Sequence, residues 1–169
     1  MTTFIALLRA INVGGTGKLA MTELSALCTE AGFADVRTYI ASGNVVFASR
    51  LTERAIVTTL ERRLAAHAGK PIGVIVRTAP EMAAVLASNP FPHAAPNRTV
   101  ALFLDRQPPS DVLSTATGRT AEDIRLGKRE IYIHYGSAMA TSKLKLAVAK
   151  TGTARNMNTV AKLVALAKR

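Results

Sequence analysis

A chain of 169 residues suits one ordinary domain or two small ones of about 80 residues each. Its composition, 49% apolar and 20% charged, excludes wholesale disorder, and its longest apolar runs are too short to span a bilayer. The formal net charge of +11 favours anionic partners: nucleic acid, phosphorylated metabolites or an anionic surface.

The N-terminus, Met1-Thr2-Thr3-Phe4, lacks a basic stretch ahead of its short apolar run, and Arg9 ends that run, so no signal peptide is expected. One cysteine, Cys28, can form neither an internal disulfide nor a Cys-based zinc site. These features describe a soluble, cytoplasmic protein without a membrane partner.

Phe4 to Leu8 reads as a buried strand. Residues 11–19 form a glycine-rich loop with Gly14, Gly15 and Gly17. A helix follows from Thr22, a suitable N-cap, with Leu24, Leu27, Cys28 and Ala31 at helical spacing and Gly32 as its stop. Residues 36–41 are β-rich, Ser42-Gly43-Asn44 supplies a tight turn, and Val45-Val46-Phe47 returns, which makes a hairpin. Thr52 caps a second helix bearing Ile56, Leu60 and Leu64, and Gly69 ends it. Residues 72–77 form a fourth strand. The order β-α-β-β-α-β is that of the split-βαβ, ferredoxin-like plan.

The second half opens on Thr78-Ala79-Pro80-Glu81, a capping-box pattern before a helix through Leu86. A loop punctuated by Pro90, Pro92 and Pro96 leads to a strand from Val100 to Leu104. Ser110-Asp111 starts a short helix, and Gly127-Lys128 joins two strands, Ile124 to Leu126 and Glu130 to Ile133. Ser142 and Asn158 are suited to cap two last helices, around 143–150 and 159–168. The expected fold is α+β: two ferredoxin-like (α/β plait) subdomains, 1–78 and a more irregular 79–169. Phe4 to Leu8 and Val45 to Phe47 do not alternate polar with apolar residues, so both faces of these strands are expected to be dry. The other half, rather than a second copy, is the natural cover, and a monomer is the expected state.

Three segments carry a resemblance. Leu8-Arg9-Ala10-Ile11-Asn12-Val13-Gly14-Gly15, together with residues 38–47, resembles the bacterial family of domain of unknown function 1697. Thr153-Ala154-Arg155-Asn156-Met157-Asn158-Thr159 is similar to that family's Arg-Asn-aromatic-Asn-Thr segment, with Met157 at the aromatic position. The resemblance implies two packed α/β-plait subdomains. It brings no established activity and no catalytic residues.

The glycine loop invites two nucleotide readings, and both fail. A P-loop needs Gly where Asn12 stands and a hydroxyl where Leu19 stands. The dinucleotide fingerprint fits nominally from Gly15 to Ala20, but a hairpin follows where that fold repeats a parallel βαβ unit. A tight strand-to-helix connection explains the glycines. A generic anion nest at the start of the first helix, beside Lys18, remains.

The topology enlarges that nest, because the hairpin turn and the start of the fourth strand, near Lys70, lie at the same end of the sheet. Arg9, Asn12, Gly14, Gly15, Gly17, Lys18, Ser42, Gly43 and Asn44 are therefore the candidate site for a small phosphate- or carboxylate-bearing ligand. Arg155 and Asn156 are candidate additions from the second half, although helix capping and surface charge account for them equally. His67, His93 and His134 show no metal spacing, and Glu122-Asp123, the adjacent acidic pair, is expected to point two ways. No cofactor, metal site or catalytic constellation is legible. Two further readings stand beside the first. One is nucleic-acid binding through Lys143, Lys145, Lys150, Lys162, Lys168 and Arg169, in a stretch without acidic residues from 141 to 169. The other is an enzyme acting on an anionic substrate at the glycine-loop end. An RNA-recognition sheet is disfavoured, since the third strand offers only Phe47 for stacking.

Overall fold

The computed structural model describes residues 1–9, 19–40 and 43–168. The described residues form two units, Met1–Met82 with Leu163–Arg169, and Ala83–Lys162. The boundary falls inside a helix, and the last residues of the chain group with the first unit.

In the first unit, β1 (Thr2–Leu8), α1 (Met21–Glu30), β2 (Ala34–Tyr39), β3 (Asn44–Ser49), α2 (Glu53–Ala68) and β4 (Val74–Thr78) follow the expected order. The sheet runs β2-β3-β1-β4 with antiparallel pairing throughout, the arrangement of a split βαβ unit. Phe4, Ala6 and Leu8 of β1 share one face with Val45 and Phe47 of β3 and with Val74 and Val76 of β4, and there they meet Leu24, Cys28, Ile56, Leu60 and Leu64 of the helices. Ile5, Leu7, Val46 and Ile75 occupy the opposite face and are equally buried. The missing alternation in β1 and β3 thus means what it predicts, strands dry on both sides.

Local signals place α2 accurately. Thr52 Oγ1 accepts from Ala55 N–H at 3.2 Å, and Gly69 closes the helix in the left-handed conformation with φ 73°. α1 is capped two residues earlier than expected: it begins at Met21 after Ala20, with no side-chain cap. Phe47 stacks on Phe33 with ring centroids 4.3 Å apart, on the helix side of the sheet. No aromatic residue of β3 is left to stack a base.

Helix α3 (Ala79–Ala87) follows β4, and the capping box forms: Thr78 N–H donates to Glu81 Oε1 at 2.8 Å and Glu81 N–H to Thr78 Oγ1 at 3.2 Å. The second unit then holds β5 (Thr99–Phe103), α4 (Val112–Thr115), β6 (Asp123–Leu126), β7 (Glu130–His134) and β8 (Thr153–Asn156), and α5 (Met157–Ala167) ends the chain. Its sheet runs β6-β7-β5-β8, the order of the first sheet repeated strand for strand. The helices do not repeat: α4 is four residues long, and a 3-10 turn at Ala147–Thr151 stands where the second helix belongs.

Two expectations for this half fail for local reasons. Residues 143–150 form no α-helix, because Lys145 pairs with Thr117 through both its N–H and its carbonyl, at 2.8 and 3.0 Å. Those groups are then lost to a helical ladder. The last helix is capped two residues early, by Asn156, whose Oδ1 accepts from Thr159 N–H at 2.9 Å. Strand β8 was not foreseen. Its four residues, Thr153-Ala154-Arg155-Asn156, carry no apolar pattern.

Candidate anion-binding site

At one end of the first sheet, three segments are tied by backbone hydrogen bonds. Leu8 N–H donates to Gly43 O and Arg9 N–H to Gly73 O, each at 2.9 Å. The end of β1, the hairpin turn and the approach to β4 therefore meet, as the topology requires. Gly73 matters for what it lacks. A Cβ there would lie 2.8 Å from Arg9 Nη1 and 2.9 Å from Arg9 Cδ, so the arginine side chain runs across the bare glycine, half-buried.

Helix α1 starts at this same end. Glu23 in its first turn pairs with His67 Nε2 in the last turn of α2, and α2 in turn leads into the segment carrying Gly73. The N-cap residue of α1, Ala20, supplies no side-chain cap, and the positive end of the helix dipole lies at this end of the sheet. Glu23 already supplies one negative charge there, shared with His67.

The other predicted residues divide cleanly. Asn44 is fully buried, and its Nδ2 donates to Tyr39 O across the turn at 2.9 Å. It braces the hairpin, whose backbone takes positive φ at Ile40 and Gly43. Asn12, Gly14, Gly15, Gly17, Lys18 and Ser42 lie outside the described residues. Arg155 and Asn156 belong to the second unit. Arg155 is buried, with Nη1 donating to Thr153 Oγ1 at 2.6 Å and to Ala154 O at 2.9 Å, and burial lowers its pKa to about 10. Asn156 caps α5 as described. Lys143, Lys145, Lys150, Lys162 and Lys168 are all exposed, while Arg169 lies outside the described residues.

Sequence reasoning gave no role to three polar groups. Arg77, on the face of β4 opposite the helices, is 1% exposed and donates to Val76 O at 3.0 Å. Glu122 is buried and accepts from Ser142 Oγ and from Thr120 N–H, the latter at 2.6 Å. These hydrogen bonds, that of Ser142 first, hold its carboxyl down at about 2. The adjacent acidic pair does point two ways, since Asp123 turns to Arg125 at 2.6 Å. His134 is the third: it stands opposite Thr99 in the β5–β7 register, a pairing that no local sequence pattern announces. No group of three or more potential metal ligands occurs among the described residues. Nor is any described helix long and apolar enough to cross a membrane.

Comparison with known proteins agrees with this architecture. The chain is similar to a conserved bacterial protein from Streptococcus pneumoniae of known structure, with a TM-score of 0.82, 26% sequence identity and 98% of each chain covered. No curated protein matches it. A family model described as protein of unknown function (DUF1697) matches residues 1–132, which takes in the two N-terminal segments that carried the resemblance and stops short of the Arg155-Asn156 segment. With more than three quarters of its length matched, the chain belongs to the DUF1697 family.

Proposed function

We propose that the protein binds a small phosphate- or carboxylate-bearing molecule at the end of the first sheet where β1 stops and α1 begins. The observation that carries this reading is the placement of Arg9. Its guanidinium lies over Gly73, at the end where α1 opens without a side-chain cap. A cation and a set of helix-terminal amides answer the two needs of an oxyanion, countercharge and directed donors. The glycine loop and Lys18 follow Arg9 directly in sequence, and their composition suits the same purpose.

The test is calorimetric titration of the full chain with pyrophosphate, beside the Arg9→Ala variant. The proposal expects binding that weakens about tenfold or more in the variant, the usual scale for a lost charged hydrogen bond. Equal affinity for both proteins overturns it.

A second reading rests on the exposed lysines. Lys143, Lys145, Lys150, Lys162 and Lys168 are all exposed in a stretch that holds no acidic residue. Nucleic acid bound there would be held through phosphates, with affinity falling steeply as salt rises. An oligonucleotide titration across a salt series decides it, and absence of binding at low salt removes this reading.

A further inference from the structure

The second unit carries an oriented histidine that the anion site above does not use. His134 ends β7 directly opposite Thr99, the first residue of β5. Thr99 is fully buried, and its Oγ1 lies 3.2 Å from Ala95 O and 3.0 Å from His134 Nδ1. A hydroxyl has one proton, and a carbonyl can only accept. The Thr99 proton therefore goes to Ala95 O, and Nδ1 must donate into Thr99 Oγ1. The hydrogen-bond network assigns the Nδ1–H tautomer.

In the neutral ring this leaves the lone pair on Nε2. That atom makes no hydrogen bond among the described residues and is not closed off from solvent. It faces Gly136, where a Cβ would lie 3.6 Å away. Arg98, an exposed residue, reaches the same glycine, with Nη1 donating to Gly136 O at 3.0 Å. Tyr135 N–H closes the arrangement by donating to Arg98 O at 2.9 Å. The ring is also held in orientation. Phe91 packs on it at 5.7 Å, and Arg125 covers Phe91 at 5.8 Å. The carboxylate nearest by register, Asp123, is neutralised by Arg125.

A lone-pair acceptor beside Gly136 and a guanidinium bonded to the carbonyl of that same glycine suit one kind of ligand, an oxyanion that still carries a proton. We propose that His134 and Arg98 form a second binding site, specific for hydrogen phosphate. The ligand's O–H donates to Nε2, and its charged oxygens take N–H groups of Arg98. Sulfate has the same shape and charge but no proton to give, so the site discriminates against it. The lone pair of Nε2 then faces an oxygen with nothing between them.

The test is the imidazole ¹⁵N spectrum of the full chain, recorded where the nitrogen shifts report a neutral His134 ring. Inorganic phosphate is titrated in, then sulfate at matched ionic strength. The expected result is an Nδ1–H tautomer whose Nε2 signal moves saturably with phosphate, about tenfold or more tighter than with sulfate. Arg98→Met should weaken the phosphate response by a similar factor. Amide dispersion confirms that the variant is folded. Arg9→Ala should leave the response unchanged, which separates this site from that of the first unit. An Nε2–H tautomer, equal responses to phosphate and sulfate, or a wild-type titration in Arg98→Met overturns the proposal.

Discussion

Arg9 and Gly73 make one device, and a test can separate its two parts. Placing a methyl at Gly73 brings a carbon within 3 Å of the arginine side chain, which is flexible and can move aside. Gly73→Ala should therefore change stability by no more than about 1 kcal/mol. It should nevertheless weaken anion binding nearly as much as Arg9→Ala, because the guanidinium is displaced. A melting curve and the same pyrophosphate titration check both halves of that statement. Glu122 gives a prediction of a different kind. Its carboxyl is held near 2, against an ordinary value of 4.5, by hydrogen bonds that favour the charged form. A depressed pKa contributes stability that is fully present above the ordinary value and is lost as pH falls through the depressed one. Thermal midpoints should thus drop between about pH 4.5 and 2, and Glu122→Gln should lack that component while already being less stable at neutral pH. Ser142 explains why the sequence misled here. A serine before an alanine- and lysine-rich run reads as a helix cap, but its hydroxyl donates to Glu122 and accepts from Leu144 N–H at 3.2 Å. Whether a hydroxyl caps a helix or braces a loop depends on a carboxylate 20 residues away, and no local pattern contains it.

Helix α5 is held at its last turn by a polar contact that can be removed. Val160, Leu163, Val164 and Leu166 are buried along it, and the guanidinium of Arg37 donates to Leu166 O at its last turn. A cation at a helix C-terminus satisfies an orphan carbonyl and complements the helix dipole. The same side chain is steadied by Asp35 O, 3.1 Å from Nε. Arg37→Ala should cost about 1 kcal/mol and should raise hydrogen exchange in the last turn of α5 more than in α2. Uniform exchange changes across both helices would contradict that assignment. The elements also show what makes a helix or strand legible. α2 was placed to within a residue because Thr52, its 3.6-residue apolar stripe and Gly69 agree with one another. β8 was not found, since it owes its existence to β5. Its pairing with Val100 to Phe103 gives four weakly patterned residues a ladder that their own sequence does not request.

Over the whole chain, the strand order β2-β3-β1-β4 and its repeat β6-β7-β5-β8 show two plaits built on one plan without a visible sequence repeat. The ferredoxin-like order of the first was legible because its helices carry apolar stripes at helical spacing and its strands are bounded by turn residues. The second keeps the sheet and shortens the helices, which left its hairpin, the strand beginning at Val100 and the short helix after Asp111 to read. The two helices that cross the boundary, α3 and α5, were legible as helices but not as members of two units, because unit membership is decided by tertiary contact. The candidate site was legible only as far as topology reaches. Arg9, Gly43 and the approach to β4 do converge, whereas the buried brace played by Asn44 and the interior position of Arg155 depend on side-chain surroundings. The charge of +11 bears on partners rather than on fold.

The most direct measurement is therefore a map of backbone amide shifts in the ¹⁵N-labelled full chain as pyrophosphate is added. The anion-site account predicts that the largest changes fall on Met21 to Leu24, Gly43 and Gly73, and that Arg9→Ala abolishes them. Changes confined to the lysines between residues 143 and 168, with those amides still, would contradict it and move the search to the second unit.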